Sequence, residues 1–343
     1  MNIIWHVSSH GWGHAARQRE LIRVYRLKFP NTHITVASDV PHWFWDGSEI
    51  DSFVPGSPSP IAIEKDGDID LQATRLHYQS FLHKIPDYLK AEVARQHDHK
   101  PDLIITDIDP LPVKAAEIGG IPALGISNFT WDWIMKEMFS DLLKEAELIA
   151  DMYRHATFLK LPLGPNHSPF HSTIDVPLLR GGPSGNSEKA KKLLPCGRIC
   201  LVALRETPPG IKLSIPEGFT AVSSLPQPAH KLCHNITHYE LSQAGATFAD
   251  LVAACDVVIS KPGYGIVSQI LAMGKRAVLF TGRQFPEEKS LISPLLGHSG
   301  TALIGIDGTA STQSEISKVM EKPCPAPVQC NGSEAIVKIL HSL

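Results

Sequence analysis

Asp256-Val-Val-Ile-Ser-Lys-Pro-Gly263-Tyr264-Gly265-Ile-Val-Ser268-Gln269-Ile-Leu-Ala-Met-Gly274 reads as a buried strand, a glycine turn and a helix start, in that order. Val257, Val258 and Ile259 form the short β-branched run expected of a strand covered on both faces, and Pro262 with Gly263 and Gly265 breaks it at once. A helix is predicted from about Ile266. Glycines let a backbone approach a ligand without interference from Cβ, and the unpaired N–H groups of a first helical turn attract anions. The stretch therefore predicts a cradle for a pyrophosphate. The competing reading is an ordinary βα turn, since a single Gly-x-Gly after a strand is a weak signal.

A second glycine turn opens the chain. Residues 2–9 run as a first strand, and His10-Gly11-Trp12-Gly13-His14-Ala15-Ala16-Arg17 leads into an amphipathic helix carrying Leu21, Ile22, Val24, Tyr25 and Leu27. Gly11-x-Gly13 lacks a third glycine, and no acidic residue ends the second strand read at 34–37, which argues against a nicotinamide dinucleotide site. Histidines at such a turn suit proton chemistry, because the unperturbed imidazole pKa lies nearest neutrality. The strand read at 103–106 delivers Asp107 and Asp109 at its carboxyl end, the edge that lines the ligand crevice of an open parallel sheet. His14 is expected to meet one of them. Asp109 precedes Pro110 and is the better placed to cap a helix, so Asp107 is the expected partner.

Composition narrows the classes. The 343 residues suffice for two domains, and 43% hydrophobic content is ordinary for a soluble α/β chain. With 32 basic and 35 acidic residues the net charge is −3, and no basic cluster of the nucleic-acid-binding kind is present. No apolar run reaches the ~20 residues of a transmembrane helix and no leader is read before the first strand, so a cytoplasmic protein is expected. Cys196, Cys200, Cys233, Cys255, Cys324 and Cys330 show no zinc-type spacing, and neither a disulfide nor a structural metal is expected. His97-x-His99 reads as a solvated helix end, because residues two apart on a helix face different ways.

Strand-like runs at 3–7, 34–37, 103–106 and 123–126 alternate with helical segments at 15–29, 71–95, 113–118 and 139–153. A linker of Arg-Gly-Gly-Pro-Ser-Gly lies between Leu179 and Asn186. Strands are then read at 199–204, 221–224, 231–233, 257–259 and 277–280, with closing helices at 315–319 and 333–340. The alternation predicts right-handed βαβ units in two Rossmann-like doubly wound domains, 1–178 and 187–328, with an interdomain cleft.

The motifs carry a family resemblance. The layout resembles GT-B glycosyltransferases, and is similar to the glycosyltransferase-like N-terminal half of L-arabinokinases and their bacterial relatives. His10-Gly-Trp-Gly-His14-Ala-Ala-Arg17 resembles that group's Gly-His-Gly-Phe-Gly-His-Ala-Thr-Arg, and 127–134 (Ser-Asn-Phe-Thr-Trp-Asp-Trp-Ile) resembles its Thr-Asn-Phe-Ser-Trp-Asp-Phe-Ile. Ile174-Asp-Val-Pro-Leu178 recurs there, and 263–268 (Gly-Tyr-Gly-Ile-Val-Ser) is similar to its Gly-Tyr-Gly-Thr-Val-Ser. The kinase half of those proteins has no counterpart here, so sugar phosphorylation is not expected. The resemblance implies an N-terminal acceptor domain, a C-terminal nucleotide-sugar domain, and a last helix, 329–343, returning to the first domain. Gln269 stands where the family usually carries a ribose-binding Glu. An amide lacks the charge-assisted two-oxygen acceptance of a carboxylate, so weaker or altered nucleotide binding is expected. Residues 202–209 replace a Gly-rich loop, with no glycine before Gly210.

The expectation is therefore an inverting, metal-independent hexosyl- or pentosyltransferase with a UDP-sugar donor, an unidentified acceptor hydroxyl and no cofactor. His14 and Asp107 are the expected catalytic pair. Gly263, Tyr264, Gly265, Ser268, Gln269, Arg283, Glu287 and Glu288 are expected on the donor side, with Lys261 or Arg205 as countercharges. His10, Gly13, Asp109, Trp131 and Asp132 are expected on the acceptor side. The alternatives are a non-catalytic nucleotide-sugar-binding protein and a sugar-nucleotide 2-epimerase-like enzyme; a homodimer is compatible with the sequence.

Overall fold

A computed structural model describes residues 1–47, 49–65, 67–204, 211, 213–223, 246–306 and 310–342, with 236–238 described for the backbone alone. The first half runs β1 (Asn2–Val7), α1 (Trp12–Lys28), β2 (His33–Ser38), β3 (Ser52–Val54), a hairpin of β4 (Glu64–Lys65) and β5 (Asp68–Ile69), α2 (Leu71–His99), β6 (Leu103–Asp107), α3 (Pro110–Gly119), β7 (Ala123–Ser127), α4 (Trp131–Met138), α5 (Leu143–Tyr153), β8 (Thr157–Lys160) and β9 (Ser172–Asp175). The second runs α6 (Ser187–Lys191), β10 (Arg198–Ala203), β11 (Phe219–Ser223), β12 (Ile236–His238), α7 (Phe248–Ala254), β13 (Val257–Ser260), α8 (Tyr264–Met273), β14 (Arg276–Thr281), α9 (Glu287–Ile292), β15 (Thr301–Gly305), α10 (Thr312–Met320) and α11 (Gly332–His341).

Among the described residues, all strands but the antiparallel β4–β5 pair form two wholly parallel sheets, ordered β3-β2-β1-β6-β7-β8-β9 and β12-β11-β10-β13-β14-β15. Each order reverses once, between β1 and β6 in the first sheet and between β10 and β13 in the second, and such switch points open a crevice at the carboxyl ends of the strands. The central strands are apolar on both faces because helices cover both: Ile3, Ile4, Trp5, Ile104, Ile105, Val257, Val258 and Ile259 are all fully buried. The core runs between the halves, with α1 packed against α8 and α11, and with Ala15, Leu21, Tyr264, Val267 and Ile336 in one apolar cluster.

The structure departs from the sequence reading in places with identifiable causes. α1 begins at Trp12, not Ala15, because Gly11 takes the N-cap at φ +75. α8 begins at Tyr264, not Ile266, because Gly263 takes its N-cap with φ −151. The helix expected over 139–153 begins only at Leu143, because Phe139 is extended (φ −139, ψ 95) as the C-cap of the preceding α4, which ends at Met138. The strand read at 231–233 and the last residue of that at 221–224 lie outside the described residues. Asp39 directly follows β2, so the expected absence of an acid there does not hold; its Oδ1 accepts from Gly56 N at 3.0 Å. The residues read as a linker are not loose: Gly181 and Gly182 are buried.

Candidate functional site

β1 and β6 pair with Val7 opposite Asp107, and Ser8 N donates to Asp107 O at 2.8 Å. The glycine-histidine turn and the carboxyl end of β6 therefore meet at the first switch point. Along α1, residues 14, 17 and 18 share one face by helical spacing. All three reach the buried Asp107 carboxylate: His14 Nδ1 lies 2.8 Å from Oδ1, and Gln18 Nε2 donates to Oδ2 at 2.6 Å. Arg17 grips both oxygens, Nε to Oδ2 and Nη2 to Oδ1, each at 2.6 Å. Burial alone would push the Asp107 pKa up, but the Arg17 and His14 charges outweigh it and hold the carboxyl well below its ordinary range. Arg17 Nη2 also lies 3.0 Å from Nδ1, but the Asp107 carboxylate can only accept, which assigns the hydrogen to Nδ1 and leaves His14 Nε2, with no hydrogen-bond partner among the described residues, as the free base position.

Arg17 and Gln18 escaped the sequence reading, although their spacing of three and four from His14 is the signal that places them there. Arg17 ties the site together. Its Nη1 donates to Asn128 Oδ1 and its Nη2 to Ser127 Oγ, both at 2.8 Å, and its guanidinium lies 4.7 Å from the Tyr264 ring centroid. Asn128 Nδ2 in turn donates to Glu287 Oε1 at 2.8 Å, carrying the network to the second half. Glu287 and Glu288 are both buried. Burial raises the pKa of each, opposed for Glu287 by the Asn128 bond and the His14 charge. Glu288 Oε1 accepts from Gly282 N at 2.5 Å.

His10 stands edge-on to Trp131 at 5.1 Å and tilted over Phe285 at 5.0 Å, with the His14 ring 6.4 Å away. Burial, reinforced by His14, lowers its pKa to about 3, so His10 is neutral at ordinary pH. Trp131 and Asp132 are fully buried, and Asp132 Oδ2 is 2.6 Å from His167 Nε2. They build the wall behind His10 rather than offering open planes to an acceptor. Asp109 occupies the N-cap position of α3, yet its side chain makes no cap bond. Burial, with Asp107 and Asp39 nearby, raises its pKa well above the carboxylate range, which makes it a neutral acid.

Two helix N-termini without side-chain caps meet opposite this group. A Cβ on Gly13 would lie 3.6 Å from Gly265 N, and one on Gly265 would lie 3.4 Å from Gly13 Cα. Glycine is needed more strictly at Gly181, where a Cβ would come within 2.4 Å of Gly265 Cα. Ser268 Oγ accepts from Gly181 N at 2.9 Å and Gln269 Nε2 donates to Gly181 O at 2.9 Å, so both residues hold the connection between the halves. Gln269 Oε1 is buried without a partner among the described residues. Gly263 is open, with nothing within 4 Å of an added Cβ.

Beside Gly263, Lys261 Nζ contacts both oxygens of Glu64 at 3.0 Å, and Arg283 Nη2 contacts Oε1 at 2.7 Å. Two open grooves of about 530 and 550 Å³ are lined, one by Leu163, Gly164 and Lys289, the other by Leu178, Leu271 and His298. Neither contains His14 or Gly263. Arg205 and Gly210 lie outside the described residues. No metal-holding group of three His, Cys, Asp or Glu occurs among the described residues, and no described helix is long and apolar enough to cross a membrane.

Two doubly wound parallel sheets with polar groups gathered between their facing carboxyl edges define the GT-B fold, and the chain has it. No family model matches the chain. In sequence it is 28% identical over 311 residues to L-arabinokinase of Arabidopsis thaliana, an alignment covering 85% of this chain and 29% of that protein. The chain thus spans under a third of that relative's length. In structure it is similar to CalG4, the calicheamicin glycosyltransferase (TM-score 0.59, 13% identity, 99% of this chain and 97% of that one). Arabidopsis thaliana UGT89C1 complexed with UDP gives 0.57 at 13% identity, covering 99% and 94%. The UDP-GlcNAc 2-epimerase of Neisseria meningitidis bound to UDP-GlcNAc also gives 0.57 at 13% identity, covering 100% of both.

Proposed function

We propose that the protein is an inverting glycosyltransferase that moves a sugar from a nucleoside diphosphate donor, most simply UDP-linked, to an acceptor hydroxyl. The observation that carries this reading is the buried Asp107 carboxylate holding His14 Nδ1 at 2.8 Å while Nε2 is left without a partner among the described residues. A carboxylate on one ring nitrogen fixes the tautomer and stabilises the imidazolium formed when the other nitrogen takes a proton.

In this mechanism the acceptor oxygen attacks the anomeric carbon as its proton passes to His14 Nε2, and the carbon–oxygen bond to the diphosphate breaks with its electron pair going to the leaving group. Inversion follows from attack opposite that bond. The N–H groups at Gly263, Tyr264 and Gly265 lie at a helix N-terminus and suit the growing negative charge, with Lys261 and Arg283 as countercharges. Glu287 and Glu288 are the donor-sugar acceptors in this reading, and His10 lines the acceptor side as a neutral ring. Asp109, kept neutral, belongs to the support beneath the site. Ser268 and Gln269 act through Gly181, holding the halves in register. No step calls for a metal.

A nucleotide-sugar-binding protein without turnover retains the cradle but has no need of the His14–Asp107 pair, and an epimerase moves its proton at the donor sugar itself. The test is to titrate the protein with nucleoside diphosphates and to follow UDP release from a panel of UDP-sugars in wild type and His14→Ala. Binding by both proteins with release by wild type alone supports transferase chemistry. Interconversion of sugar epimers would assign the third class.

A further inference from the structure

The hairpin of β4 and β5 belongs to neither main sheet. It emerges from the first half, where Ile69 is buried in the core, yet the polar contacts of its tip are with the second. Beyond the two cations on Glu64, Arg283 Nε donates to Gly67 O at 3.0 Å and Gln284 N donates to Asp68 Oδ1 at 2.9 Å. Those cations flank the open Gly263, one just before the α8 turn and one just after β14. His10 feels the charges of Glu64, Lys261 and Arg283 alike, which puts all three beside the glycine-histidine turn.

We propose that Glu64 is a built-in competitor for the donor's diphosphate: its carboxylate sits on the Lys261–Arg283 pair, and a nucleoside diphosphate must displace it and swing the hairpin aside to bind. This rests on the functional reading above and adds its regulation. The carboxylate and a phosphate need the same N–H donors, and the Arg283 side chain is only 5% exposed, so it has little room to serve both. The diphosphate has the greater charge and can also use the α8 N-terminus. Glu64 is 42% exposed on a strand of two residues, and its pair with the half-exposed Lys261 is of the kind that is weakly held in water. Lys261 and Arg283 overcome the effect of burial and lower the Glu64 pKa to about 2, so the competitor is charged throughout the working pH range. The device keeps weakly bound anions out while the donor, with more contacts, gets in.

Calorimetric titration of wild type and Glu64→Gln with UDP tests this, alongside hydrogen exchange at the Gln284 amide. Glu64→Gln should bind UDP roughly fivefold more tightly, the scale of one exposed ion pair. UDP should also speed exchange of the wild-type Gln284 amide as Asp68 leaves it. UDP binding that is equal or weaker in Glu64→Gln, or that leaves Gln284 protection unchanged, overturns the competitor and leaves the donor reading standing. If neither protein binds UDP or any other nucleoside diphosphate, the donor reading fails and the competitor with it.

Discussion

Arg17 and Asp107 form a bidentate ion pair, 2.6 Å at both contacts, directly beneath the candidate base His14. Both side chains are buried, at 1% and 0% exposure. Removing either partner strands the other's charge in a low-dielectric core, a loss on the order of 3–5 kcal/mol. Asp107→Asn and Arg17→Met should therefore each lower stability by about that amount, and the double variant should lose less than the sum of the two. A double-mutant cycle by chemical denaturation measures this. Additive losses would show that the pair is not coupled.

Arg17→Lys is a separate prediction. Lysine keeps the charge but not the planar fork that reaches Asp107, Ser127 and Asn128 together. The Asn128–Glu287 bond would then lose its anchor, so donor-sugar release should slow more than UDP affinity changes. Steady-state kinetics with a UDP-sugar separate the two, and a Lys variant as active as wild type would remove Arg17 from the positioning of the site.

Gln269→Glu is expected to weaken the protein, not to improve nucleotide binding. The amide nitrogen donates to Gly181 O, and a carboxylate there would face that carbonyl with no hydrogen to offer. The loss should be about 1–3 kcal/mol of stability. Thermal unfolding reads it, and an unchanged midpoint together with tighter UDP binding would return Gln269 to the ribose role that the sequence suggests.

His10 supplies a pH prediction. The folded ring protonates at about 3, whereas in the unfolded chain it protonates near 6.5. Between those values the unfolded state binds more protons, so stability falls as pH drops below about 6.5. His6, lowered by burial to about 4, adds to this, while the raised carboxyls of Glu287, Glu288 and Asp109 act in the opposite sense. His10→Gln removes only the His10 share. Its loss of stability between pH 7 and pH 5 should be smaller than that of wild type by about 2 kcal/mol, as measured by urea unfolding; equal losses would mean that His10 titrates normally.

The sequence shows most clearly what depends on local pattern. Val257 to Ile259 and Leu103 to Thr106 announce central strands through unbroken apolar runs, and the meeting of His14 with Asp107 follows from strand-end logic. Elements that owe their form to tertiary contact are hidden: β9 is exposed along its length, and the β4–β5 hairpin is held by Arg283 and Gln284 far along the chain. Trp131 looks like a ligand platform until packing buries it, and Gln269 looks like a nucleotide contact until Gly181 is placed beside it. Neither fact can be read from spacing, because both depend on which distant residues pack against the side chain.

The central claim is that a donor diphosphate binds at the α8 turn, and Gly263→Asp tests it most directly. The position is open and extended (φ −151), so an aspartate fits there as an N-cap and should preserve or raise stability. Its carboxylate would nevertheless stand where the diphosphate belongs. Calorimetry should show UDP affinity reduced more than about tenfold, or ~1.4 kcal/mol, in a protein at least as stable as wild type. Undiminished UDP affinity in a folded Gly263→Asp protein would place the donor elsewhere and contradict the account.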